Sequence, residues 1–83
     1  IDHDEKFALL TEAISNLEEA VKLRGNSEDC LMLADTLVDK SINMYSYEEQ
    51  MILRGQALGY YQKSYKLSPN ERVQKKIQEI EIF

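Results

Sequence analysis

What the chain has little of narrows it first. It holds one proline and three glycines in 83 residues, too few breakers for many turns, so long helices are expected instead of short strands. A single cysteine, Cys30, has no partner for an internal disulfide; this excludes a disulfide scaffold and points to an intracellular, cytoplasmic setting. No apolar run approaches the roughly 18 residues a membrane-spanning helix needs, and no signal peptide is visible, so no membrane partner is expected. The one histidine, His3, has no cysteine or carboxylate at metal-ligand spacing beside it. The chain opens at Ile1 and not at methionine, which reads as a segment of a larger protein.

What is present describes a globular chain. Hydrophobic residues make up 43% and charged residues 30%, a balance that excludes disordered and fibrous classes. Residues 1–83 form one small domain, whose core at this size is thin. Charge is uneven. Residues 1–40 carry ten acids against four bases, whereas residues 41–83 carry five against six. An overall charge of −5 repels phosphate backbones, so no nucleic-acid partner is expected. Lys63, Lys66, Arg72, Lys75 and Lys76 read as a solvated basic face.

Helix start and stop signals divide the chain into four. Phe7, Leu10, Ile14, Leu17 and Val21 recur at steps of three and four, which predicts a helix over about 4–24, begun by Asp2 or Asp4 and stopped by Gly25. Ser27 is expected to cap a second helix over 28–44, with Glu28 and Asp29 against its dipole and a stripe of Cys30, Leu33, Ala34, Leu37, Val38 and Ser41. Ser46-Tyr47-Glu48-Glu49 fits a capping box, and a third helix follows over 47–67 with Met51, Leu58, Tyr61 and Tyr65 inward. Ser68-Pro69-Asn70-Glu71 repeats the box, and a fourth helix over 70–82 carries Val73, Ile77 and Ile80. Gly55 and Gly59, four apart in the third helix, are expected at a close helix crossing.

Residues 13–26 repeat as residues 57–70. Ala13/Ala57, Lys22/Lys66, Leu23/Leu67 and Asn26/Asn70 are identical, and Leu17/Tyr61, Ala20/Ser64 and Val21/Tyr65 keep size or polarity class. Past the turn, with one gap, Cys30 lies over Val73, Ala34 over Ile77 and Leu37 over Ile80. A period of this length signals stacked helical hairpins.

In these residues the chain resembles the tetratricopeptide repeat, with its W-x₂-L-G-x₂-Y, A-x₃-F and P pattern. Cys30-x₂-Leu33-Ala34-x₂-Leu37 stands for the tryptophan-to-tyrosine motif, Ala57-x₃-Tyr61 for the A-x₃-F motif, and Pro69 for the proline. Ala13-x₃-Leu17, with Gly25 eight residues later in the proline slot, gives the first helix the same pattern, so the chain looks like the second helix of one repeat, one whole repeat and a C-terminal capping helix. Ala34 replaces the family's glycine and Cys30 its tryptophan, and the repeat is about ten residues longer than the family's, between Asp39 and Arg54. The resemblance implies an all-α fold of four antiparallel helices, stacked as helix–turn–helix pairs with a C-terminal capping helix. It also implies a groove lined by the first helix of each pair, which brings Glu28, Leu31, Asp35 and Val38 together beside Asp39. The matching face of the fourth helix offers Gln74, Gln78 and Glu81. Family members that clamp a peptide's carboxylate use lysines and asparagines; Leu31 and Asp35 stand in those places here, which argues against an acidic tail as ligand.

No catalytic constellation, and no cofactor site, emerges. His3 reads as a solvent-facing terminal residue, and Cys30 as a small buried hydrophobe with no base beside it. Of the five tyrosines, Tyr60 lies off the packing stripe and is the candidate contact residue. The expected function is therefore non-enzymatic: an adaptor or scaffold module binding a protein or peptide with basic and apolar residues. Two alternatives stand beside it, a structural or assembly segment of a larger helical protein, and a module similar to microtubule-interacting-and-transport domains.

Overall fold

The structure, a computed structural model, describes residues 2–81. Ile82, the last residue of the expected fourth helix, lies outside them. The chain is all-helical: α1 (His3–Leu23), α2 (Ser27–Ile42), α3 (Tyr47–Leu67) and α4 (Glu71–Glu81), with no strand among the described residues. Each boundary falls within two residues of the one the caps and stripes predict.

The termini show why the helices start and stop there. Asp2 caps α1, its Oδ1 accepting from the Glu5 N–H at 2.8 Å. Gly25 ends the hairpin's first arm at φ +60°, where a Cβ would sit 3.1 Å from the Val21 carbonyl oxygen. The cap of α2 is Asn26 and not Ser27, with Asn26 Oδ1 accepting from the Asp29 N–H at 2.8 Å. Likewise Asn70, not Ser68, accepts from the Val73 N–H at 3.0 Å. In both turns the longer carboxamide takes the orphan donor. The Ser27 hydroxyl is thereby free for a tertiary contact. At α3 the serine does cap: Ser46 Oγ accepts from the Glu49 N–H at 3.4 Å.

Two polar clasps hold the connections. Arg24 donates Nε to Asp29 Oδ2 at 3.1 Å and Nη2 to Oδ1 at 3.0 Å, a bidentate pair that pins the α1–α2 turn with the carboxylate buried. At the other end His3 Nε2 lies 2.9 Å from the Asn43 carbonyl oxygen, its ring against Tyr45 and Phe7. His3 is exposed, as expected, and in addition clasps the α2–α3 connection.

The core is built around α2, which packs against both α1 and α3, while α4 packs against α3. Cys30, Leu33, Ala34 and Ser41 have no exposure at all. On α3 the inward line is Ala57, Tyr61 and Ser64, with Leu53 packed beside it, whereas Met51 is 37% exposed. Ala57 and Ser64 are small because α2 lies directly on them. Ser27 and Ser64 exchange hydrogen bonds across that crossing: Ser27 Oγ donates to the Ser64 carbonyl at 3.0 Å, and Ser64 Oγ to the Ser27 carbonyl at 2.9 Å. Contacts at Ser27–Ser64 and Asp35–Tyr61, with a connection of four residues, carry α3 back along α2. The glycines are not at the crossing, since a Cβ on Gly55 or Gly59 would meet nothing within 4 Å.

Opposite stability effects follow on one helix. Ala57→Leu overpacks the α2–α3 crossing and should cost about 1–3 kcal/mol. Gly59→Ala adds a methyl in open space and should stabilise by up to about 1 kcal/mol. Urea titration of both variants checks the pair; a neutral Ala57→Leu would place the crossing elsewhere on α3.

Candidate functional site

Where α2, α3 and α4 meet, an open groove of about 460 Å³ runs over the surface. Its α2 wall is Asp35, Val38, Asp39 and Ile42, residues three and four apart and therefore on one helical face. Tyr61 and Arg54 of α3 form the floor, and Lys76, Glu79 and Ile80 of α4 the opposite wall. A smaller hollow of about 260 Å³ adjoins it past Arg54 and Ile80, reaching Met51, Leu58 and Glu81.

One carboxylate organises the groove. Asp35 Oδ1 accepts from the Tyr61 hydroxyl at 2.5 Å and from Lys76 Nζ at 3.0 Å, so a single oxygen ties α2 to both other walls. The Lys76 ammonium also stands 5.9 Å from the centre of the Tyr61 ring, within cation–π range. The tyrosine spans two environments. Its ring belongs to the core at 3% exposure, and its hydroxyl emerges at the groove. Burial, then the hydrogen bond to Asp35, pushes the Tyr61 phenol well above its ordinary value. The Asp35–Lys76 pair is more open, with the two side chains 38% and 30% exposed, so its own contribution to stability is small.

The expected site residues separate into three groups. Asp35, Val38 and Asp39 do come together on the α2 wall. Leu31 does not: at 4% exposure it belongs to the core, because α2 is covered on two sides and the stripe beside its first one is also packed. Tyr60 is half-buried and packed against the same core, away from the groove lining, and Glu28 is exposed at the start of α2, also outside it. On α4 the wall is Lys76, Glu79 and Ile80 in place of Gln74 and Gln78; Glu81 lies in the adjoining hollow. Ile42, Arg54 and Tyr61 were not anticipated as groove residues. A signal for Tyr61 was available, since a buried tyrosine needs a polar partner for its hydroxyl, and an aspartate on the facing helix supplies one.

Cys30 is fully buried, and burial raises its thiol above the ordinary value, which suits packing and not nucleophilic attack. Among the described residues no group of three or more His, Cys, Asp or Glu side chains is placed to hold a metal ion. Among the described residues no helix is long and apolar enough to cross a membrane.

The raised Tyr61 value carries a sign. Folded, Tyr61 keeps its proton beyond the point, near pH 10, where an unfolded tyrosine loses it. That stabilisation is therefore complete below about pH 10 and is lost as pH rises from there toward the folded value. Followed by tyrosinate absorbance, one of the five tyrosines should ionise only with cooperative unfolding. In Tyr61→Phe that late component should vanish; its persistence would assign it to another ring. No family model, no curated protein and no solved structure matches the chain.

Proposed function

We propose that this chain is a protein-interaction module, of the adaptor or scaffold kind, whose α2–α3–α4 groove receives a peptide or helical segment carrying basic and apolar residues. The observation that carries this reading is the make-up of the groove. Val38, Ile42, Ile80 and the edge of Tyr61 offer apolar surface, and Ile42 is 65% exposed. Asp39 and Glu79, both exposed, stand on opposite walls around it. Apolar contacts supply most of the affinity in such a site, and the carboxylates favour a cationic side chain over an anionic one. Asp35 is already engaged by Tyr61 and Lys76, so Asp39 and Glu79 are the acids left to read the ligand's charge.

The same reading supports a non-enzymatic chain without a cofactor. The one histidine lies against the α2–α3 connection and the one thiol inside the core, so neither meets the other. The resemblance to tetratricopeptide repeats agrees with a groove between α2 and α4, and an intracellular setting belongs to the same proposal. A second reading, a structural or assembly segment of a larger helical protein, is favoured by the apolar residues left exposed on α1, chiefly Leu9 and Leu23.

Selection of a random peptide library against the chain tests the first reading. Enriched sequences should combine lysine or arginine with leucine or isoleucine, and should shift the amide resonances of Asp39, Ile42 and Glu79. In the Asp39→Lys, Glu79→Lys variant the association rate should fall by about ten-fold or more and lose its salt dependence, with the helical spectrum unchanged. Enrichment of acidic peptides, or shifts confined to other faces, would sink the assignment.

A further inference from the structure

The groove already holds a cation of the chain's own. Lys76 Nζ lies 3.0 Å from Asp35 Oδ1 and 5.9 Å from the centre of the Tyr61 ring. A carboxylate beside an aromatic face suits a primary ammonium, giving it an acceptor for its N–H groups and a π-face in place of part of its water. Both parts of this seat are fixed by the fold and not by Lys76. The Tyr61 ring is core, at 3% exposure, and its hydroxyl holds the Asp35 carboxylate at 2.5 Å. Lys76 is the movable part. It sits on α4, which packs chiefly on α3, and its side chain is 30% exposed. Glu79, exposed and three residues on along the same helix, offers it a second carboxylate. An ion pair as open as Lys76–Asp35 is weakly held, so such an exchange costs little.

From this geometry we infer that the Asp35 carboxylate and the Tyr61 ring form an ammonium-binding seat, that Lys76 fills it as a stand-in in the unbound chain, and that a lysine of the ligand takes the seat by displacing Lys76. The inference rests on the function proposed for the groove and names the ligand's anchor. Asp39 and Glu79, on opposite walls, meet the incoming charge first. The ligand's ammonium then passes to Asp35 as Lys76 turns to Glu79, so each ammonium keeps a carboxylate throughout. The seat suits a point charge. Asp35 Oδ1 already takes the Tyr61 hydroxyl, and the two-pronged fork of an arginine would contend with it. Lys76 is then an autoinhibitory contact. A tethered competitor lowers the apparent affinity by the fraction of the time it leaves the seat open.

Removing the stand-in tests this by the sign of its effect. The probes are N-acetyl-lysine methylamide and its norleucine counterpart, which lacks only the ammonium. In Lys76→Met the lysine probe should give saturable shifts at the Asp35 carboxylate and the Tyr61 ring, about five-fold tighter than in the unaltered chain. The norleucine probe should give none. Adding Asp35→Asn, which keeps an oxygen for the Tyr61 hydroxyl, should abolish the binding. Lys76→Gln takes the place of Lys76→Met should the latter lose its helical spectrum. A merely structural Lys76 predicts binding no tighter without it, and that result overturns the inference. So does the absence of any saturable shift, or lysine-probe binding that survives Asp35→Asn or centres on Asp39 and Glu79. The small probe reads the seat alone: selected peptides can bind the groove while it fails, and it can bind where no peptide is selected. Failure of the seat and failure of the proposed function therefore read out separately.

Discussion

The α2–α3 crossing is the constraint on which the rest depends. Two helices approach closely only where side chains are small, and Ala34, Ala57 and Ser64 are each without exposure there. The serine hydroxyls at the crossing would be a liability in a dry contact. Their hydrogen bonds to each other's carbonyls remove it, and no buried side-chain polar atom among the described residues lacks a partner. Once α3 is laid against α2 by this contact, α1 and α4 take the remaining sides and are held by fewer neighbours. Stability should therefore decline outward, with α2 and α3 the last to open and α1 and α4 the first.

Asp35 shows how the fold and the groove share residues. Its carboxylate gives the Tyr61 hydroxyl the acceptor that a buried phenol requires, which lets the ring serve the core. The same oxygen receives Lys76 and draws α4 toward α2, although α4's packing partner is α3. Geometry at the groove thus rests on core residues, and its walls are helices, not loops. In the function proposed for the groove, walls of this kind would lower the ordering cost of binding.

Helix positions were legible in the sequence to within a turn, because the stripes are regular and every boundary carries a cap residue. Which residue does the capping was less legible. Asn26-Ser27 and Ser68-Pro69-Asn70 each place two eligible side chains at one turn, and only the packing of Ser27 on Ser64 shows that the serine is used elsewhere. Faces were harder still. A stripe rule assigns one buried side to a helix, but α2 has two, so Leu31 reads as a groove residue and lies in the core. The same rule placed Met51 inward, where the α2 crossing instead selects Ala57 and Ser64. Gly55 and Gly59 suggested a close approach that packing does not make, and nothing in the structure explains their presence in a helix interior. Of the site, Asp35, Val38 and Asp39 were legible from helical spacing. Lys76, Glu79 and Ile80 were not, since the side of α4 that closes the groove is fixed by its tilt on α3, which no local pattern encodes.

The uneven charge of the chain acquires a meaning once the helices are placed. Acids concentrate in residues 1–40 and bases beyond, and the Lys76–Asp35 contact is where the two halves meet across the groove. Distance in sequence, 41 residues, makes this a contact that only the finished fold brings together. On a half-exposed pair the net attraction is weak, yet its placement matters more than its strength. It fills one oxygen of Asp35 and leaves the carboxylates of Asp39 and Glu79 outside the pair. A cationic ligand entering the groove therefore meets two acids that no fold contact has claimed. An anionic ligand must face the same two with only Lys76 and Arg54 to offset them, and Lys76 is already committed to Asp35. On the function proposed for it, the groove would draw its preference from these two acids on opposite walls and not from the overall charge of the chain.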